Sequence, residues 1–407
     1  MTARPPGRHA IAFVFITVMM DMIGYGLVMP VLPRMIEEVG HLDLAAASVI
    51  GGWMYFAYGA MQFLFGPAVG NLSDAYGRRP LLLLAVFGLS VDFLFTAVAP
   101  TLFLLFVGRV VAGICGASYT IANAYLADIT RPEERAKVFG LMGAAFGLGF
   151  VIGPAIGGLL GEFGPRVPFY VAATLTGLNF IFGYVVLPET LPPEKRRPFS
   201  LTRSNPLGAL LVFGKHPGVL PLAILMFAYF AATSVYPAIW AFWGIARFGW
   251  SEAVIGLTLA AFGLITAVMQ GAFTGFTVSR LGERNTVVFG LAASIIAAAG
   301  YAWAPSLLAV MVLLVIHAPE GFVHPALTAI MSRSTPEDAQ GELQGGIASV
   351  QSVAMLIGTV FYAQAFGFFM QPGAPVVTPS AGYVIAAILL TMILAVFLFV
   401  RPDRART

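Results

Sequence analysis

The sequence predicts an all-α membrane protein whose twelve transmembrane helices form two six-helix bundles. Three observations carry that expectation. Hydrophobic residues make up 59% of the 407-residue chain and charged residues only 10%, well below the roughly one quarter charged of a soluble domain. The charges lie in short islands between apolar runs of about 20 residues, the length that crosses a bilayer as a helix. The one long polar stretch falls near mid-chain and divides those runs six and six.

The runs lie near 9–32, 46–72, 79–99, 101–127, 136–161, 168–187, 219–244, 253–279, 285–304, 306–331, 342–370 and 379–400. Unpaired backbone groups are costly in lipid and strand-length alternating segments are absent, so the runs are expected to be helices. The first run follows Arg4 and Arg8 and superficially resembles a secretory leader. It carries Asp21, continues past twenty residues and lacks a small-residue cleavage site, so it reads as an uncleaved span. With both termini on the inner side, the inner loops and tails hold all 22 Lys and Arg except Arg34, Arg166 and Arg247 outside and Arg109 within a span. That asymmetry fits cytoplasmic termini. The polar stretch at 188–218, proline-rich and basic, suits a cytoplasmic linker between bundles at 1–187 and 219–407.

The lone Cys115 lies inside the fourth run, so no internal disulfide is possible, and no Cys/His cluster has metal-ligand spacing. The net charge of +3 and pI near 9.0 reflect topology and do not indicate nucleic-acid binding. No catalytic triad, phosphate loop or soluble domain points to an enzyme or a receptor. No cofactor is expected. The expected partners are a small-molecule substrate, protons and the lipid bilayer, and the chain is expected to be a monomer.

The halves carry related segments. Gly70-Asn71-Leu72-Ser73-Asp74-Ala75-Tyr76-Gly77-Arg78-Arg79 follows the second run, and Gly275-Phe276-Thr277-Val278-Ser279-Arg280-Leu281-Gly282-Glu283-Arg284 follows the eighth. An offset of 205 residues aligns Gly70 with Gly275, Gly77 with Gly282 and Arg79 with Arg284. Two parallel six-span repeats are a known transporter architecture, with the site at mid-membrane between them.

The first segment resembles the cytoplasmic loop signature of the major facilitator superfamily, with Ala75 where a basic residue is common. In the fifth run, Gly140 is followed by Gly149, Gly153, Pro154, Gly157 and Gly158 at offsets that resemble the signature of twelve-span drug/proton antiporters. The bland alternative is a close-packed helix of the small-xxx-small kind. Within those antiporters the chain is most similar to the tetracycline efflux proteins, nearly end to end. The matching residues run from Asp21, Gly24, Gly26 and Pro30 to Gln340, Gly341, Leu343 and Gln344. The resemblance implies the major facilitator fold, alternating access, and a latch on the inner face made by Asp74 with Arg78 and Arg79. One departure matters. The family's essential histidine and aspartate of spans eight and nine align with Thr266 and Ser294.

Ionisable groups inside spans are costly and are functional candidates by default. Asp21 is a candidate proton acceptor, or a helix residue held by neighbouring hydroxyls. Asp92 and Arg109 lie on adjacent antiparallel helices and read as a proton-responsive or a static ion pair. His317, Glu320 and His324 stand at helical spacings that would put all three on one face. Glu320 with His317 is the candidate coupling pair, and His324 a candidate for substrate. Gln62 and Gln270 read as substrate hydrogen-bonding groups or helix-linking ones. Phe227 and Tyr236, in an aromatic-rich seventh run, are candidate pocket residues, whereas Trp243 reads as an interfacial anchor. Together these features favour proton-coupled export of a drug-like molecule. Import of a nutrient on the same fold is the alternative.

Overall fold

The computed structural model describes residues 8–200, 204–215 and 218–399. Arg4, Arg203, Arg401, Arg404 and Arg406, which enter the orientation argument, lie outside the described residues, as does the side chain of Arg8. Among the described residues the chain is helix and turn, with no strand. Eleven apolar helical segments are long enough to cross a membrane. One of them, Glu252–Trp303, has 52 residues and is interrupted at Gly282, whose φ of 75° and ψ of 161° are not helical. Counting that segment as two gives twelve spans. They are α1 (His9–Gly40), α2 (Leu44–Tyr76), α3 (Arg78–Val98), α4 (Leu102–Ile129), α5 (Lys137–Gly161) and α6 (Val167–Val186), then α7 (Leu220–Phe248), α8 (252–281), α9 (283–303), α10 (Leu307–Arg333), α11 (Glu337–Phe369) and α12 (Ala381–Phe399).

Local chemistry sets several of the short turns between spans. Thr101 caps α4 by accepting from the Leu104 amide, and Ser306 caps α10 by accepting from the Ala309 amide, each satisfying an otherwise orphaned helix N–H. Gly249 closes α7 in the left-handed region (φ 65°), where a side chain would be strained. Leu94, Leu178, Ile181, Ile296, Phe361 and Met392 are exposed, as large apolar side chains facing lipid should be.

The chain divides into two compact units. Unit 1 comprises Met1–Leu42, Ala57–Pro206 and Ser251–Ala260; unit 2 comprises Asp43–Phe56, Leu207–Trp250 and Ala261–Thr407. Helices α2 and α8 therefore contribute residues to both. In unit 1, α1 runs along α5 and α3 packs on α6, over a core that includes Phe13, Val18, Leu82, Ile121, Tyr125 and Met142. In unit 2, α7 packs on α11, and α9 packs on α10 and α12.

The internal repeat is conformational as well as sequential. Gly77, which precedes α3, has φ 110° and ψ 154°, and Gly282, which precedes α9, has φ 75° and ψ 161°. Both lie in a region open essentially to glycine alone. The arginine two residues on does the same work in each unit. Arg79 donates to the Tyr184 carbonyl near the end of α6 at 2.8 Å. Arg284 donates to the Phe397 and Leu398 carbonyls near the end of α12 at 3.1 and 2.8 Å. Each binds at the C-terminal, negative end of a helix dipole.

Candidate functional site

In unit 1 the sequence-picked polar groups converge on a break in α4. The helix is interrupted between Cys115 and Ser118, which frees a carbonyl in the middle of the bundle. Gln62 of α2 donates to that carbonyl, Gly116 O, at 3.1 Å. Ser118, which restarts the helix, donates its hydroxyl to Asp21 of α1 in a short hydrogen bond. Asp21 is buried, so the hydroxyl stands where water would otherwise solvate the carboxylate. About two turns before the break, Arg109 Nη2 lies 3.5 Å from Asp92 Oδ2 and donates to Thr96 Oγ1 at 3.3 Å. Both oxygens of Asp92 are buried without a hydrogen-bond partner. Charge opposes charge there, but no hydrogen bond fixes the geometry.

The fifth-span glycines divide by what they touch. A Cβ on Gly149 would meet Met19 O at 2.5 Å, on Gly153 Ile23 O at 2.6 Å, and on Gly157 Leu27 O at 2.5 Å. Spaced four apart, they form one smooth ridge against the α1 backbone, and Pro154 fills the notch at Gly26. Gly158 faces the Glu252 carbonyl within the same unit. Gly140 faces open space.

The loop signature is a charge cluster within unit 1. Arg78 is buried; Nη1 meets Asp74 Oδ1 at 2.5 Å and Ser73 Oγ at 2.6 Å, and Nε meets Asp128 Oδ2 at 3.2 Å. Gly70 packs close to Thr120. The acid at the N-terminus of α3 is Glu189, whose carboxylate accepts from the Arg78 and Arg79 amides at 2.9 and 3.3 Å. At offset 205 the Arg78–Asp128 pair becomes Glu283–Arg333 at 2.8 Å, the same contact with the signs reversed.

In unit 2, residues Ala318–Phe322 form a 3₁₀ turn inside α10, so the stretch that carries His317, Glu320 and His324 is not α-helical throughout. Pro319 lacks an N–H and Gly321 favours no helix, so the α-helical ladder tightens there. Tyr229 of α7 donates to Glu320 Oε1 in a short hydrogen bond. His317 Nε2 lies 3.7 Å from Glu320 Oε2, and its Nδ1 lies 3.5 Å from the Tyr301 hydroxyl. His324 lies edge-on to Phe230 at 5.5 Å. Gln270, on a π-helical turn of α8, donates to Gly321 O at 3.2 Å, so it ties α8 to the turn that carries Glu320. A Cβ on Gly321 would also meet Thr266 Cγ2 at 3.2 Å. The position where the resembled family has histidine thus abuts the turn that bears the acid here. Ser294 is buried, with its hydroxyl unpartnered.

Tyr236 packs on His317 with its ring tilted, at 4.4 Å between centroids, and Phe227 is half-buried on α7. Trp243 is not an interfacial anchor. It is fully buried, donates from Nε1 to Ser380 Oγ at 3.2 Å, and packs against Tyr301, Tyr383 and Trp250. An indole needs only one acceptor to be satisfied in a core, and Ser380 supplies it. Sequence reasoning missed Ser118, Asp128, Glu189 and Tyr229 as partners, since each acts on a residue at least 50 positions away.

Twelve membrane helices that keep acids inside their bundles define a multi-pass membrane carrier. The family profile described as Major Facilitator Superfamily matches residues 14–359 and 248–407. The class C tetracycline resistance protein of Escherichia coli is 40% identical over 363 residues, covering 88% of this chain and 90% of its own. The class G tetracycline resistance protein of Vibrio anguillarum is 36% identical over 370 residues, covering 88% and 91%. Among solved structures, a variant nucleoside transporter matches with a TM-score of 0.80 at 14% identity, over 96% of this chain and 99% of its own. A human organic anion transporter matches at 0.68 and 23% identity, over 97% and 100%. These structural likenesses show the fold. The chain belongs to the major facilitator superfamily.

Proposed function

We propose that this transporter exports a tetracycline-like, drug-like compound across the inner membrane in exchange for protons, by alternating access. In this reading both termini are cytoplasmic, and bundles at 1–187 and 219–407 work as a monomer joined by the 188–218 linker. The observation that carries it is similarity along nearly the whole chain to proteins named for tetracycline resistance. Acids held in both halves support it: Asp21 on the Ser118 hydroxyl, Asp92 beside Arg109, and Glu320 between Tyr229 and His317.

A buried carboxylate whose partners are hydroxyls can be neutral or charged without stranding an opposite charge, unlike one locked into a bidentate ion pair. Asp21 and Glu320 have that character. Asp92 has a guanidinium beside it but no hydrogen bond, so a small movement of α4 alters its charge preference. In the C-terminal half the coupling acid is Glu320 on span ten, with His317 as its partner, in place of the family's histidine and aspartate. Phe227, Tyr236, Gln62, Gln270 and His324 are the residues we assign to substrate contact.

Inverted vesicles test the reading. Wild-type vesicles should accumulate tetracycline when a pH gradient is imposed, and Glu320→Gln should bind substrate yet respond weakly or not at all to that gradient. An unchanged gradient dependence in Glu320→Gln would make the span-ten acid structural and leave coupling to Asp21 and Asp92. Growth across a panel of toxic compounds separates export from the nutrient-import alternative, in which expression gives no resistance.

A further inference from the structure

The unit 2 interior contains more polar groups than the Glu320 contacts use. The hydroxyls of Tyr236, Tyr362 and Tyr383 and the Nε2 of His317 are all buried without a hydrogen-bond partner. An unpartnered buried polar atom costs about 1–3 kcal/mol, and native cores normally meet such atoms with internal water. Phenylalanine would fill the same volumes without that penalty. The groups also form a series. His317 lies beside Glu320; Tyr301 reaches His317 Nδ1; the Tyr301 and Tyr236 rings lie 5.6 and 6.0 Å from that of Tyr383. Tyr383 packs at 5.0 Å on Trp243, which bonds to Ser380 in the loop between α11 and α12.

That loop lies at the same end of the unit as the α9–α10 turn, and His317 is ten residues along α10 from Leu307, about 15 Å deep at helical rise. With cytoplasmic termini this is the outer end. The series therefore runs from mid-membrane toward that outer end, with Tyr301 and Tyr383 still buried. The groups facing Glu320 and His317 from the packed helices are Tyr229 and Tyr236 of α7 and Tyr301 of α9, with Gln270 of α8 on the neighbouring Gly321 carbonyl; Tyr383 of α12 and Tyr362 of α11 lie behind them, beside Tyr236.

We propose that His317, Tyr301, Tyr236 and Tyr383 form a proton route between Glu320 and the outer surface, completed by internal water. It rests on the reading of Glu320 as the proton acceptor. The tautomer that uses both His317 contacts has Tyr301 donating to Nδ1 and Nε2–H facing Glu320 Oε2. An inward proton is accepted at Nδ1 from the Tyr301 side while Nε2 gives its proton to the carboxylate. Each hydroxyl passes one proton on and takes one from its outer neighbour. The chain of donors is left unchanged except for reversed orientation, and Glu320 ends protonated. Such chains conduct because each member both donates and accepts, and intramembrane acid–histidine series are a recurrent proton-relay arrangement.

The test follows protonation of Glu320 itself, without substrate. A pH jump on the full-length protein in detergent, read by time-resolved infrared at the protonated-carboxyl band that Glu320→Gln removes, gives a rate and a final amplitude. Tyr301→Phe and Tyr383→Phe should slow the rate at least tenfold, leave the amplitude unchanged and enlarge the solvent deuterium effect. The melting temperature of Tyr383→Phe should equal or exceed the wild-type value, because an unpartnered hydroxyl has gone. Wild-type rates in both variants would overturn the route, as would an altered amplitude at an unchanged rate. A normal band and a slowed variant rate in a protein that transports no tetracycline would overturn the substrate reading and keep the route. The absence of any Glu320 band in the wild type would overturn both the acceptor and the route.

Discussion

Gly140 and Gly157 belong to one sequence signature, and the structure assigns them opposite sensitivities. A Cβ on Gly157 would sit 2.5 Å from Leu27 O, 2.7 Å from Leu27 Cα and 3.0 Å from Leu27 C. All three are backbone atoms, so no rotamer change relieves the overlap. Restoring ordinary contact requires α1 and α5 to part by about 1 Å. Overpacking of this kind costs roughly 1–3 kcal/mol, and a gap of 0.5–1 Å forfeits a quarter to a half of the dispersion attraction of the atoms across it. We expect Gly157→Ala to destabilise by about 2–4 kcal/mol. Gly157→Leu should abolish transport while the protein still inserts. At Gly140 a Cβ meets nothing within 4 Å. Gly140→Ala should be neutral, or stabilising by up to about 1 kcal/mol through the helix preference of alanine. Thermal unfolding of the purified variants, with vesicle transport beside it, reads both. Equal damage from the two alanines, or none from either, would refute the packing account.

Three further outcomes follow from the same geometry. Asp74→Asn removes one of two carboxylates on the buried Arg78; turnover should fall far more than substrate affinity, and equal losses in both would point to a binding role. Gly77→Ala and Gly282→Ala each force a side chain into a glycine-only conformation costing about 1–3 kcal/mol. Gly77→Ala should be the worse, because its Cβ would also overlap the Glu189 carboxylate whereas Gly282 faces open space; comparison of melting temperatures decides it. Finally, Glu162, just past the C-terminal end of α5, accepts from the Ser251 side chain and, at 3.0 Å, from the Ala253 amide, and these bonds hold its carboxyl below the usual carboxylate range. A lowered value means that its contribution is complete above about pH 4.3, the unfolded carboxylate value, and is lost as pH falls through the folded one. Because the group is exposed, the contribution should be under about 0.5 kcal/mol. The stability gap between wild type and Glu162→Gln should close in acid; a gap that persists at low pH removes the carboxylate from the explanation.

The sequence by itself determined the spans, the helical class and the pairing of related halves, because these are local properties. Twenty apolar residues in lipid have no option but helix, and Gly77 and Gly282 mark the same glycine-only turn in each half. It also located the acids, since a charge inside an apolar run stands out without any partner being known. What only the tertiary structure decided was partnership. That Ser118 bonds to Asp21, that Glu189 meets the α3 amides, and that Tyr229 holds Glu320 depend on helices packing across about 90 to more than 100 residues of chain. No periodicity encodes such contacts. The same holds for Trp243, which resembles an anchor in composition and is a core residue in space. It holds also for the 3₁₀ turn at Ala318–Phe322, which spacing alone would read as continuous α-helix through His317, Glu320 and His324. Burial and neighbour identity are set by which helix faces meet, and that is a property of the assembled bundle.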